Sequence, residues 1–176
     1  MSANAAVVLE WLDPGKTYYQ QKKFDCGNEK INKFVANSLK KQVRDGLSQC
    51  FVLLDATDSN RFIGFYTLCA FAINAPELAA HSAGSLPGRV PCSRLVMLGV
   101  DKNFQKRGLG KRLMKSVFQK TMNAAKEIGI YGLYLDADED AYDFYDDLGF
   151  VTLQYKVDSL PTPMFMHIDT IRASMS

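Results

Sequence analysis

The chain has 176 residues, 47% of them hydrophobic and 23% charged, with a net charge of +2; a single domain over 1–176 of that size buries roughly 70% of its unfolded surface and folds without a disulfide or metal staple. Cys26, Cys50, Cys69 and Cys92 lie far apart with no CxxC pair, which argues against a zinc site and a disulfide framework. The first eleven residues carry neither the basic n-region of a signal peptide nor an apolar run long enough for a membrane span, so a cytoplasmic location is expected.

The small net charge conceals an asymmetry. Residues 61–126 hold 11 Lys or Arg against Glu77 and Asp101, a balance of +9, whereas residues 127–176 hold Lys156 and Arg172 against 10 acids, a balance of −8. Kept apart by the fold, these segments form a basic and an acidic region; mixed in space, they are ordinary solvated faces.

In chain order, Asn28 is placed to cap a helix whose apolar residues Ile31, Phe34, Val35, Leu39 and Val43 recur at three and four, ending near Gly46. Lys30, Lys33, Lys40, Lys41 and Arg44 are left for its solvent face. Residues 49–55 and 61–72, rich in β-branched, aromatic and aliphatic side chains, flank Thr57-Asp58-Ser59-Asn60 and read as a hairpin with an interior second strand. Over 74–91 the pattern dissolves into Ala, Pro, Gly and Ser, predicting a loop with at most a short helical piece. Residues 95–100 read as a buried strand, and a helix follows whose Leu109, Leu113, Val117, Thr121, Ala124 or Ala125, and Ile128 form one stripe, with Gly129 as a left-handed cap. A strand over 131–137, a short helix over 139–148, a return from Gly149 into 150–155 and a last strand over 164–168 complete a mixed α/β order around one sheet.

Between the strand at 95–100 and that helix lies Gln105-Lys106-Arg107-Gly108-Leu109-Gly110. Helix N-termini leave about four N–H groups unpaired and carry roughly half a positive charge, which an anion satisfies. Glycines at 108 and 110 remove Cβ atoms that would block phosphate oxygens, and Lys106, Arg107, Lys111 and Arg112 add cationic charge. No GxxxxGK[ST] or GxGxxG is present, which disfavours triphosphate hydrolysis and dinucleotide binding. Two glycines before a basic helix fit either a phosphate site or a plain strand-to-helix turn.

Two separated motifs decide between them. Gln105, Gly108 and Gly110 match [Q/R]-x-x-G-x-[G/A], and Phe144-Tyr145-x-x-Leu148-Gly149-Phe150 follows downstream. In both, in this order, the chain resembles the GNAT superfamily of N-acetyltransferases. Phe24-Asp25-Cys26-Gly27, residues 62–68 and residues 87–91 are similar to the acetyltransferase toxins of bacterial toxin–antitoxin modules. The resemblance implies an α/β (α+β) GNAT fold, a central mixed, mostly antiparallel sheet flanked by helices, and acetyl transfer from acetyl-CoA to a primary amine. In the toxin branch that amine is the α-amino group of an aminoacyl-tRNA, so the enzyme stops translation; the branch also implies a homodimer and a ribbon-helix-helix antitoxin. Two positions depart from the pattern: Met97-Leu98-Gly99-Val100-Asp101 stands where Arg-Leu-Ala-Val-Asp is common, and Asp138 stands where an Asn is common seven residues before the tyrosine.

By that resemblance the cofactor-binding residues are Leu98, Gly99, Val100, Gln105, Lys106, Arg107, Gly108, Leu109, Gly110 and Lys111. The resemblance also puts the hydroxyl of Tyr145 beside the thioester sulfur as general acid. An α-amine titrates near about 8 and lysine near about 10.4, so this acceptor needs less help from a base, which fits the lack of a carboxylate on 95–100. Lys33, Lys40, Arg89 and Arg94 are candidate contacts to the acceptor's phosphates. His81 and His167 stand in no ligand cluster, so no metal is expected. The acidic run 136–147 suits a basic partner such as an antitoxin tail but fails the calcium-loop template. A housekeeping transferase for small amines or protein N-termini, and a non-catalytic acyl-CoA-binding module, are the alternatives.

Overall fold

The computed structural model describes residues 6–82, 84–153 and 161–176. Seven strands, β1 (Val7–Trp11), β2 (Gln49–Asp55), β3 (Arg61–Asn74), β4 (Arg89–Val100), β5 (Gly132–Ala137), β6 (Val151–Thr152) and β7 (Thr162–His167), follow the sheet order β1-β2-β3-β4-β5-β7-β6. Pairing is antiparallel for β1 with β2, β2 with β3, β5 with β7 and β6 with β7, and parallel for β4 with β5. This is the mixed, mostly antiparallel sheet expected. The chain divides into two compact units, Met1–Cys69 with Met97–Ser116, and Ala70–Val96 with Val117–Ser176.

In the first unit β2 and the start of β3 form the expected hairpin, with Gln49 opposite Leu68 and Asp55 opposite Arg61. Ser59 and Asn60 turn the chain at φ 53° and 56°, a left-handed conformation that asparagine tolerates better than most side chains. Helices α1 (Glu29–Asn37) and α2 (Leu39–Arg44) pack Val35 and Leu39 into a core with Phe24, Val52, Phe62 and Phe65. Asn28 caps α1 as expected, its side chain accepting from Ile31 N at 3.2 Å. The single helix expected to run to Gly46 is instead two. At Ser38 φ reaches −123°, outside the α range, and the chain re-enters a helix with Ser38 O accepting from Gln42 N.

The second unit holds the start of β4 with β5, β6 and β7, around Ile73, Leu78, Val90, Cys92, Leu153 and Phe165. Part of the expected 74–91 loop is strand: β4 begins at Arg89, six residues before the predicted start, because Val90 and Cys92 alternate inward. A 3-10 turn over Ala75–His81 is the short helical piece.

Helix α3 (Leu109–Glu127) buries Leu109 and Leu113 in the first unit and Val117 and Thr121 in the second, as the stripe predicts. Ile128 departs from the stripe at 61% exposed, beyond the last helical residue. Gly129 is not a left-handed cap, since its φ is not positive; the last turn closes by Ile128 N donating to Ala124 O. The 139–148 helix resolves into a 3-10 turn and α4 (Tyr142–Asp147), after which Gly149 turns at φ 102°. The expected strand over 150–155 is β6 alone; residues 154 and 155 lie outside the described residues. Helix α5 (Ile168–Met175) has no counterpart among the predicted elements; His167 caps it by accepting from Asp169 N, and Ile168 and Ile171 are buried. No helix among the described residues is long and apolar enough to cross a membrane.

Candidate functional site

Parallel pairing of β4 with β5 runs from Ser93↔Leu133 to Leu95↔Leu135 and stops, although β4 continues to Val100. Within the first unit the end of β4 is held from the β3 side: Asp101 N donates to Ile63 O at 2.8 Å and Met97 N to Thr67 Oγ1 at 3.2 Å. Leu98, Gly99 and Val100, singled out from the sequence, are the last residues of this strand.

The chain then makes a 3-10 turn over Lys102–Phe104, capped by the buried Asp101, whose Oδ1 accepts from Asn103 N at 3.0 Å. Lys106 and Gly108 follow at φ 62° and 78°. The left-handed backbone at 108 suits glycine, and a Cβ built there meets no protein atom within 4 Å. Gly108 O accepts the helical bond from Arg112 N, which makes Gly108 the cap and leaves the N–H groups of Leu109, Gly110 and Lys111 without helical carbonyls. These N–H groups and the positive end of a 19-residue helix fit a pyrophosphate. The flanking cations divide. Arg107 donates to Asn103 O and lies over the Phe104 ring, and Arg112 donates to Val7 O; Lys106, Arg107 and Lys111 are all exposed.

The side chain of Gln105 is turned onto the protein's own backbone. Its amide nitrogen donates to Cys26 O at 2.9 Å and to Val100 O at 2.8 Å. Sequence reasoning missed the companions of this contact, Asp25 and Asn32. Lys102 Nζ lies 2.7 Å from Asp25 Oδ2, and with the Gly27 N–H and the Asn32 amide it holds that carboxyl down to about 2.

In the second unit Tyr145 lies on α4, 7% exposed, edge-on to the rings of Phe144 and Phe150. Burial, reinforced by the negative charge of Asp138, pushes its hydroxyl above the ordinary tyrosine range, so the side chain is a protonated donor at neutral pH. The spacing Phe144-Tyr145-x-x-Leu148-Gly149-Phe150 thus has a packing reason: Gly149 reverses the chain so that Phe150 returns onto Tyr145.

The four candidate acceptor contacts are not equivalent. Arg94 donates to Asp136 at 3.0 Å and lies against the rings of Phe71 and Tyr134, while the Tyr134 hydroxyl donates to the other oxygen of Asp136. Lys33 pairs with Glu29 at 2.9 Å and stays exposed. Lys40 lies over the Tyr18 ring and lines a groove of about 500 Å³ together with Gln21, Lys22 and Lys23. Arg89 is exposed at the start of β4. His81 bonds to Thr152 O and His167 caps α5.

Residues 17–159 match the acetyltransferase (GNAT) domain model. The chain is 38% identical to a bacterial toxin of known crystal structure, covering 96% of this chain and 94% of that one with a TM-score of 0.91. It resembles the toxin AtaT in two complexes. In one, with acetyl-methionyl-tRNAfMet, identity is 25% over 97% of this chain and 99% of that one, TM-score 0.85. In the other, a tyrosine-to-phenylalanine form is bound to acetyl-CoA and the C-terminus of the antitoxin AtaR, at 26% identity over 97% and 99%, TM-score 0.81. A tRNA-acetylating toxin of Mycobacterium tuberculosis is 27% identical over 123 residues, 69% of this chain and 72% of that protein. The chain belongs to the GNAT family of acetyltransferases.

Proposed function

We propose that this protein is an acetyl-CoA-dependent N-acetyltransferase that acetylates the α-amino group of an aminoacyl-tRNA and so acts as a translation-blocking toxin. The carrying observation for the donor is the left-handed Gly108 cap, which starts a helix whose own carbonyls leave the N–H groups of 109–111 without partners. Kinship to AtaT, bound to acetyl-methionyl-tRNAfMet, supports the acceptor.

Acetyl-CoA supplies an activated thioester carbonyl. The chain's own residues divide the remaining work. Residues 106–111 cradle the pyrophosphate through the backbone, with Lys106 and Lys111 neutralising charge; Arg107 stiffens the turn from Asn103 and Phe104. Backbone N–H groups around Leu98, Gly99 and Val100 polarise the carbonyl. Tyr145 keeps its proton and donates a hydrogen bond from its hydroxyl to the departing sulfur, which leaves as the thiolate. The acceptor, with a pKa near about 8, loses its proton to water. Lys33, Lys40 and Arg89 offer cations to the acceptor's phosphates, and Arg94 can do so only by sharing its charge with Asp136. The matched family model spans parts of both compact units, which supports one acetyltransferase domain over 1–176. A cytoplasmic location, a homodimer and neutralisation by a ribbon-helix-helix antitoxin complete the reading, the last supported by the AtaR complex.

Induced synthesis of the protein is expected to arrest growth, and co-expression of an antitoxin encoded beside it is expected to restore it. Unaffected growth with a folded protein that binds acetyl-CoA would contradict the toxin reading.

A further inference from the structure

The segment Phe24-Asp25-Cys26-Gly27-Asn28 leads into α1, and in the first unit it is fastened to the end of β4 at several points. Gln105 Nε2 bridges Cys26 O (2.9 Å) and Val100 O (2.8 Å). Asp101, 2% exposed, accepts from Asp25 N at 3.3 Å, and Lys102 N donates to Asp25 O at 2.8 Å. On the helix side Asn32 holds the same segment: its Oδ1 accepts from Cys26 N and its Nδ2 donates to Asp25 Oδ1, both at 2.9 Å. The backbone of Cys26 is therefore pinned in both directions, by Asn32 through its N–H and by Gln105 through its carbonyl.

Gly99 allows the close approach. A Cβ there would stand 3.3 Å from Phe24 Cζ, 3.3 Å from Ile31 Cγ2 and 3.4 Å from Cys26 Sγ, so the segment and the first turn of α1 lie directly against the strand. The departure from the common Arg-Leu-Ala-Val-Asp is where this packing occurs.

A glutamine amide has two N–H donors. Both donors of Gln105 are spent on main-chain carbonyls, which leaves none for a phosphate. We propose that Gln105 and Asp101 are positioning residues that lock the 24–28 segment, and with it α1, onto the end of the cofactor strand, so that they govern acceptor rather than acetyl-CoA recognition. The consequence for the acceptor rests on the tRNA-acetylating reading, because α1 and α2 carry Lys33 and Lys40; the lock itself does not.

Gln105→Met removes both donors while keeping a neutral side chain of similar length. In the full-length protein without ligand, amide hydrogen exchange over 24–32 is expected to speed up about tenfold, with 132–137 unchanged. The acceptor KM is expected to rise about fivefold and the acetyl-CoA KM to stay within about twofold, loss of two neutral hydrogen bonds being a modest local effect. Gln105→Arg, which restores donors to both carbonyls, recovers both readouts. Asn32→Ala cuts the other end of the lock and reproduces the Gln105→Met pattern, which keeps the test available if the first variant fails to fold. Unchanged exchange at 24–32, or an acetyl-CoA KM raised with the acceptor KM unmoved, overturns the proposal. If the wild type transfers no acetyl group to charged tRNA, the reading above fails, and exchange alone then decides the lock.

Discussion

Tyr145→Phe is expected to lower kcat by about 10- to 150-fold and leave the acetyl-CoA Kd within about twofold, since a hydrogen bond to a charged group contributes about 1.5–3 kcal/mol. The side chain is buried against two phenylalanine rings, so phenylalanine keeps the packing and loses only the hydroxyl. The size of the effect follows from the acidities. A thiol titrates near about 8.5, whereas burial holds Tyr145 above the tyrosine norm of about 10. The thiolate is therefore the weaker base, the proton stays with Tyr145 at equilibrium, and the hydroxyl stabilises the leaving sulfur without giving its hydrogen up. Loss of such a bond slows the transfer and does not abolish it. Because the raised value keeps Tyr145 protonated below pH 10, the wild-type rate has no loss attributable to it across pH 6–9. Single-turnover transfer at saturating acetyl-CoA reads the effect; a change under about threefold would remove Tyr145 from the chemistry.

The second large effect belongs to Gly108. Any other residue at φ 78° costs about 1–2 kcal/mol, yet no protein atom lies within 4 Å of the added Cβ. Gly108→Val is therefore expected to leave the protein folded, with the strain relieved by rotation of the turn. That rotation turns the N–H groups of 109–111 away from their common focus. With at least one charge-assisted bond lost, at about 1.5–3 kcal/mol each, acetyl-CoA affinity falls by about 100-fold. Isothermal titration against acetyl-CoA measures it, with a melting curve to show that the fold persists. An unchanged Kd would place the pyrophosphate elsewhere.

Much of this was legible in the residues, for reasons that differ by element. The hairpin at 49–55 and 61–74 could be read because nearly continuous apolar runs flank a turn of Thr, Asp, Ser and Asn. The capped start of α1 followed from Asn28, and the α3 stripe from Leu109 to Thr121, since caps and 3.6-residue periodicity are local signals. The break at Ser38 was hidden because Leu39 and Val43 stay in helical phase with Val35 across it. The early start of β4 was hidden by Pro91 and Gly88, which punctuate the run containing Val90 and Cys92. Helix α5 was masked by its shortness and by Thr and Ser, which are weak helix formers.

The site divides in the same way. Gly108 and the helix it starts were readable because backbone conformation demands a residue type. The two-sided grip of Gln105 was not, since it joins residues 79 apart in sequence. Likewise, nothing local ties Arg94 to Asp136, 42 residues away, and only the sheet register brings them together.

The central claim is that the acceptor is the α-amine of an aminoacyl-tRNA. The direct measurement incubates the protein with acetyl-labelled acetyl-CoA and bulk charged tRNA, isolates the RNA, and hydrolyses the aminoacyl ester with mild alkali. The account predicts label in the RNase-sensitive fraction, released by alkali as N-acetyl amino acid and reduced in parallel by Tyr145→Phe. Label confined to polyamines or peptides, with none in the RNA, would contradict it.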